Sequence, residues 1–220
     1  MPTPASTIRE SLFTLITKTL LRLYTRRSRR LLFHGAEIMA PKTCFPPIHT
    51  ISTEALLKVL GGLAGFKRVV VEIGCGPGSL LIAMALSSDT EYFIGTDISD
   101  ECIKAARVNS ILNRVYSKTD FIVCDSGSCI RDNSAELCYT NPPFLPYDLR
   151  DQLDLPFAGG RDLKTAIRMI RDCFRVSKRG GLVFYTLSDL STGLRLKARG
   201  RIILEASGLG DRVYVFASRR

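Results

Sequence analysis

The chain has 220 residues, 45% of them apolar, and a formal net charge of +10. That length fits one domain, or one domain with an appendage, and the apolar share allows a sizeable core. No uninterrupted run approaches the ~18 apolar residues of a membrane span, and the seven scattered cysteines form no C-x-x-C pair, which argues against a disulfide framework and against a zinc site within the chain. A reducing cytoplasm is the simplest setting for such cysteines. The positive charge suggests an acidic partner, either nucleic acid or an acidic protein face.

Ile8, Leu12, Leu15, Ile16, Leu20 and Leu23 recur at helical spacing and predict one amphipathic helix. Arg9, Lys18 and Arg22 interrupt it and no small-residue cleavage site follows, unlike a signal peptide. Arg26, Arg27, Arg29 and Arg30 then form a basic cluster, which is either a contact for RNA, the ribosome or an acidic protein, or a solvated helix end. Phe45-Pro46-Pro47 reads as a rigid, extended lead-in, Ser52 as the N-cap of a helix over Thr53–Leu63, and His34 and His49 as structural. These features divide the chain into an N-terminal helix and basic arm over residues 1–44 and a main domain over 45–220.

Val69–Ile73 is a β-branched run, as expected for a strand buried on both faces. It breaks into Gly74-Cys75-Gly76-Pro77-Gly78-Ser79, and the helical segment Leu80–Leu86 follows. Strand, glycine turn and helix make the first unit of a Rossmann-like sheet, with its ligand at the carboxyl end of the strand. The third glycine falls one position earlier than in a dinucleotide fingerprint, and Pro77 removes an N–H a pyrophosphate would use. The turn therefore suits a ligand without a diphosphate.

A second strand, Tyr92–Thr96, ends in Asp97, whose carboxylate can take both hydroxyls of a ribose. The helix Ser99–Leu112 follows, and a third strand, Asp120–Cys124, ends in Asp125. A fourth, Ala135–Thr140, ends in Asn141-Pro142-Pro143-Phe144. A helix over Leu163–Val176, capped by Lys178-Arg179-Gly180-Gly181, a fifth strand Leu182–Leu187 and a closing hairpin of Arg201–Ala206 and Arg212–Ala217 complete the pattern. Cys75, Cys102 and Cys124 read as small buried fillers.

Four strand ends in series, carrying Glu72 with the glycine turn, Asp97, Asp125 and Asn-Pro-Pro-Phe, resemble the class I S-adenosylmethionine (SAM) methyltransferases from about Phe45 to the C-terminus. The resemblance implies an α/β, Rossmann-like fold: a mostly parallel seven-stranded sheet with a C-terminal antiparallel hairpin and helices on both faces. It implies SAM as cofactor. Glu72, Gly74 and Gly76 would lie at the methionine part, Asp97 at the ribose, Ile98 against the adenine, and Asp125 with Ser126 at the adenine amino group. Ile51–Leu57 is similar to a family segment whose threonine lies against SAM; Thr53 matches it, Thr50 is its rival, and Ser52 replaces the family's Asp.

Asn-Pro-Pro-Phe narrows the resemblance to enzymes that methylate a planar amino group: HemK/PrmC-type protein-glutamine methyltransferases and N6-adenine methyltransferases. Such nitrogens are poor nucleophiles because the lone pair is delocalised. The Asn141 side-chain oxygen and the Pro142 carbonyl can each accept one N–H of the substrate, Pro143 stiffens the loop, and Phe144 offers a ring face to the flat group. Ala158-Gly159-Gly160 resembles a segment of the short archaeal/eukaryotic-type HemK relatives, which act on glutamine N5 in the Gly-Gly-Gln loop of class I release factors. Those relatives pair with a small zinc-binding activator that covers an apolar sheet edge. The alternatives are an N6-adenine or N2-guanine methyltransferase on RNA or DNA, favoured by the charge, and a non-catalytic SAM-fold binding subunit.

Overall fold

The structure is a computed structural model that describes residues 19, 23, 26–45, 50–63, 68–191, 198–208 and 211–220. The expected helix over Ile8–Leu23 lies outside the described residues, apart from Thr19 and Leu23, which are helical; so do Pro46, Pro47 and His49. No helix among the described residues is long and apolar enough to cross a membrane.

The expected basic arm contains a hairpin. β1 (Arg29–Phe33) and β2 (Ala36–Ala40) pair antiparallel. His34 and Gly35 make the turn with φ of 45° and 85°; positive φ at both central residues gives a twist that matches paired strands. Leu31, Phe33, Ala36, Ile38 and Ala40 alternate into the main core, while Leu32 and Met39 face outward. Residues 29–40 of the arm are thus packed into the main body.

Seven strands form the main sheet: β3 (Val69–Ile73), β4 (Tyr92–Asp97), β5 (Thr119–Val123), β6 (Ala135–Thr140), β7 (Ser177–Ser188), β8 (Arg201–Gly208) and β9 (Asp211–Arg219), in the spatial order β5-β4-β3-β6-β7-β9-β8. β5 to β7 run parallel; β9 is antiparallel to both β7 and β8. This is the sheet expected from the sequence. The order reverses at β3, which pairs with β4 on one side and β6 on the other, and a crevice opens at such a switch point.

Four helices pack on the sheet: α1 (Ile51–Gly61), α2 (Ser79–Ser87), α3 (Asp100–Leu112) and α4 (Lys164–Val176). Alternate strand residues feed two cores. Val70, Leu137, Tyr139 and Phe184 join Leu56, Leu81 and Ile103 of α1, α2 and α3; Val71, Cys138, Val183 and Tyr185 join Met169, Cys173 and Val176 of α4. Asn109 of α3 and Asn113, the residue that caps its end, stand one turn apart against β2. Asn109 Oδ1 accepts from the Met39 N–H (2.9 Å) and its Nδ2 donates to the Met39 carbonyl (3.0 Å); Asn113 does the same at Glu37, at 2.9 and 2.8 Å. Two side-chain amides thereby satisfy a strand edge as a neighbouring strand would. Asn109 Nδ2 also donates to the Pro77 carbonyl at 2.9 Å, tying the hairpin to the glycine turn.

Three local expectations are corrected. The first helix starts at Ile51, not Thr53: Thr50 is its N-cap residue with extended backbone, so Ser52 lies inside the first turn and its hydroxyl caps nothing. Gly180 and Gly181 do not cap α4. The helix stops at Ser177 in extended backbone, and β7 starts there, five residues early, with a register shift against β6. The cysteines also pair: Cys44 with Cys102 and Cys124 with Cys129, at Cα separations of 5.7 and 6.1 Å. Cys102 and Cys124 are therefore cross-linked rather than inert fillers, while Cys75, Cys138 and Cys173 are buried thiols. A bridge between the end of the hairpin and the start of α3 spans 58 residues, which spacing alone does not reveal. These bridges remove the support the cysteines lent to a reducing compartment.

Candidate functional site

At the carboxyl ends of β3, β4, β5 and β6 the chain encloses a cavity of about 730 Å³, the size of ordinary small-molecule sites. The residues expected from the sequence at the cofactor and at Asn141-Pro142-Pro143-Phe144 line it. Glu72, Gly74 and Gly76 come from the end of β3, Asp97 and Ile98 from β4, and Asp125 and Ser126 from the loop after β5. Thr53 comes from α1, with Thr50 just before it, and Asn141, Pro142, Pro143 and Phe144 from the loop after β6. Both threonines face the cavity, and the Thr50 hydroxyl donates to Thr53 Oγ1 at 2.8 Å.

The cofactor end is held by backbone donors and carboxylates. Gly76 adopts φ +54°, which turns its N–H onto Asp97 Oδ2 at 2.8 Å, while Asp97 Oδ1 accepts from the Ser99 N–H at 2.9 Å. Burial raises the Asp97 pKa, and the Ser99 and Gly76 N–H groups pull it back. Glu72 is buried beneath the turn and accepts from the Tyr139 hydroxyl at 3.2 Å. Desolvation pushes its pKa well above the carboxylate range. Asp125 pairs with Arg168 of α4 at 2.7 Å, with both side chains about half exposed, 53% and 52%. No group of three or more His, Cys, Asp or Glu among the described residues is placed to hold a metal.

The groups bonded to Asn141 at the acceptor end are neutral. Asn141 Nδ2 donates to Ser52 Oγ (3.1 Å) and to Thr53 Oγ1 (3.2 Å), and Asn141 Oδ1 accepts from the Thr186 hydroxyl at 2.5 Å. The loop that carries Asn141 is braced by the Ala158-Gly159-Gly160 stretch. Leu145 N–H donates to the Phe157 carbonyl (3.1 Å), Gly159 N–H returns to the Leu145 carbonyl (2.9 Å), and Leu145 bridges Ala158. A Cβ on Gly159 would lie 2.6 Å from the Pro143 carbonyl oxygen, so only glycine allows this approach. Phe45 and Phe157 also line the cavity and meet edge to face at 5.5 Å.

SAM fits the residues present. The Ser79 hydroxyl lines the cavity at the start of α2, is buried, and has no hydrogen-bond partner among the described residues. It and the first N–H groups of α2 suit a ligand carboxylate. Asp97 suits the ligand's hydroxyls, and Glu72 offers a hydrogen-bond acceptor to its amino group. Residues 49–153 match the family model of the methyltransferase small domain. The matched residues, just under half of the chain, include the glycine turn, the strand-end carboxylates and Asn141-Pro142-Pro143-Phe144.

The proteins this chain is similar to are named for different substrates. The chain is 27% identical over 165 residues to ribosomal RNA large subunit methyltransferase G of Streptomyces coelicolor, a match covering 75% of this chain and 40% of that protein. It is also 27% identical over 123 residues to the release factor glutamine methyltransferase of Caulobacter vibrioides, covering 51% of this chain and 43% of the relative. The chain thus spans about two fifths of the length of these relatives. The solved structure of Methanocaldococcus jannaschii Trm5 in complex with adenosine superposes with a TM-score of 0.61 at 15% identity, covering 87% of this chain and 55% of that one. Pyrococcus horikoshii TYW2 with MeSAdo gives a TM-score of 0.60 at 14% identity, covering 87% of this chain and 70% of that one.

Several lining residues were not expected from the sequence. Phe45, Ser79, Phe157, Arg168 and Asp211 belong to the cavity, and Ser52 belongs to it through Asn141 rather than as a cap. Asp211, at the start of β9, is half-buried beside Asp189; burial and that neighbour push its pKa up to about 6. Only Ser79 carried a signal, since it occupies the place of a third fingerprint glycine.

Proposed function

We propose that the chain is an N-methyltransferase that acts on a planar NH₂ group, and that the group is the side-chain amide N5 of glutamine in the Gly-Gly-Gln loop of a peptide chain release factor. The observation that carries this reading is the meeting of Asn141 and Pro142 with the cofactor carboxylates in one cavity. Bound SAM would supply a methyl group activated by its sulfonium, the C–S bonding pair staying on sulfur, and the substrate nitrogen would then release a proton. The Asn141 carboxamide oxygen and the Pro142 carbonyl accept the two substrate N–H groups and hold the nitrogen in line. Phe144 faces the substrate plane, and the Phe45–Phe157 pair shields the reacting end from water. Positioning of this kind is worth roughly 7–11 kcal/mol.

Glutamine is favoured over a base by the Ala158-Gly159-Gly160 brace and by the relatives named release factor glutamine methyltransferase. A cytoplasmic location goes with that substrate. The same reading includes a small zinc-binding activator on an apolar sheet edge. Ile202 and Ile203 of the outer strand β8 are exposed apolar candidates for its contact. Monodisperse, active protein expressed alone would remove that part.

A second reading, methylation of adenine N6 or guanine N2 in RNA, rests on the basic cluster. Ser28, among the arginines, accepts from the Lys42 N–H at 3.2 Å. Lys42 precedes Thr43 and Phe45, which line the cavity. Arg26, Arg27, Arg29 and Arg30 therefore sit close in the chain fold to the segment that leads into the site. The test is incubation with radiolabelled SAM and, in parallel, a release factor and total RNA. Label on the release factor, lost when its loop glutamine is changed to alanine, supports the first reading. Label on RNA, with a steep salt dependence lost when the four arginines are neutralised, supports the second. Label on neither, with no SAM binding, overturns both.

A further inference from the structure

Asp211 opens β9 and lines the cavity beside Leu190 and Val213. The other carboxylates of the lining, Glu72, Asp97 and Asp125, belong to the cofactor end. Asp211 is held in place by donors of known direction. The Arg212 N–H donates to its Oδ1 at 2.8 Å, and the Asp189 N–H and Ser188 hydroxyl also donate to the carboxylate. Ser188 Oγ itself accepts from the Leu190 N–H at 3.1 Å, and an ionised carboxylate only accepts, so the Ser188 proton points at Asp211.

This carboxylate is short of donors. It offers about four acceptor positions and receives three hydrogen bonds from the protein. Among the described residues no cation pairs with it: Arg212 turns to Asp189 and Glu205, and the cavity's Lys164 and Arg168 pair with Asp162 and Asp125. Half-burial without a counter-charge is what lifts its pKa to about 6. A further N–H from a ligand would relieve it.

Its place relative to Asn141 follows from β7. Thr186 meets Asn141, and Ser188, two residues on and on the same face, meets Asp211. Same-face neighbours on a strand stand roughly 6–7 Å apart. Asp211 therefore lies one such step beyond Asn141, toward the end of β7. In a glutamine the side-chain nitrogen and the main-chain nitrogen are separated by five bonds, roughly 6 Å when extended.

Building on the proposed transfer to a glutamine amide, we propose that Asp211 accepts the main-chain N–H of the residue being methylated, and so selects a peptide as the acceptor over a nucleic acid. The amide at Asn141 and the N–H at Asp211 fix the two ends of one side chain. A phosphate in the same place would meet a like charge.

The experiment uses the full chain, as wild type and Asp211→Asn, which keeps the size and removes the charge. Each is assayed on a release factor and on the same factor with an ester oxygen in place of the main-chain N–H at its loop glutamine. Wild type should show a KM roughly 10-fold higher for the ester form, the scale of a lost hydrogen bond to a charged group, with kcat little changed. Asp211→Asn should show that rise on the ordinary factor and little further rise on the ester, with SAM affinity as in wild type. An unchanged KM in Asp211→Asn, or an equal ester penalty in both proteins, overturns the proposal. So does label on RNA that increases in Asp211→Asn, which marks a carboxylate that only repels phosphate. The ester comparison on wild type decides the point even where the variant does not fold. If wild type transfers nothing to the release factor, the proposed function fails on its own. Calorimetric binding of the two factor forms then decides the contact: tighter binding of the amide form by wild type supports it, and equal binding overturns it.

Discussion

The two ends of the cavity are built from different chemistry. At the ends of β3, β4 and β5 the groups are carboxylates and turned-in backbone N–H groups: Glu72, Asp97, Asp125 and the glycine turn. Around Asn141 they are neutral: an amide, three hydroxyls and proline carbonyls, with Asn141 held by Ser52, Thr53 and Thr186, and the half-buried Asp211 of β9 is the carboxylate beyond them at the end of β7. A cationic ligand is served by the first set. A neutral nitrogen that must be aligned but not charged is served by the second. The contrast teaches that binding and transfer are physically separable here. A change at one end should leave the other nearly intact.

The largest expected effect is at the neutral end. Asn141→Ala should lower kcat by roughly 10²–10³-fold, the scale seen when one preorganised polar group at a reacting centre is removed, with SAM affinity held. Steady-state kinetics beside calorimetric SAM titration check this. Next comes the brace: Gly159→Ala drives a Cβ onto the Pro143 carbonyl oxygen and shifts the loop. A displacement near 1 Å costs on the order of 100-fold in kcat, and the same pair of measurements should again show SAM binding preserved.

The charged end is probed by pH. Burial raises the Glu72 pKa well above its ordinary 4.5, so the folded protein holds a proton that the unfolded chain has released. Stability contributed by that proton is full below about 4.5 and falls as pH rises toward the raised folded value, by roughly 3–5 °C in Tm per pH unit. Glu72→Gln should flatten this decline in thermal melts from pH 5 to 8 without cofactor, and weaken SAM binding. A wild-type melt that matches the variant at every pH would show that Glu72 is not buried as a neutral acid. The smallest effect is expected at Arg168. Its pair with Asp125 is half exposed, so Arg168→Ala should change stability by less than about 1 kcal/mol, as read by urea unfolding.

The same contrast explains what was legible in the sequence. The charged end is written in short consecutive runs: a strand, a turn, a carboxylate at each strand end. All of its expected residues line the cavity, and the sheet that presents them follows from hydrophobic runs and their spacing. The neutral end is assembled across the chain. Asn141 meets Ser52 and Thr53 from 89 and 88 residues away and Thr186 from 45. A Ser or Thr in a helix start or a strand carries no local sign of such a partner, and Ser52 looks like a cap until the helix is seen to begin at Ile51. The β1–β2 hairpin was hidden for a different reason. Its turn is His34-Gly35 rather than Asn-Gly or Asp-Gly, and the adjacent arginines masked a five-residue alternation. The bridge from Cys44 to Cys102 was hidden by the 58 residues between them.

The most direct test of a separable site is calorimetric titration of SAM into wild type, Asp97→Ala and Asn141→Ala, each assayed in parallel for methyl transfer. Wild type should bind, Asp97→Ala should lose most of its affinity, and Asn141→Ala should bind as wild type does while transferring almost nothing. Equal loss of SAM affinity in both variants would contradict the separation, and absence of binding by wild type would contradict the cofactor site itself.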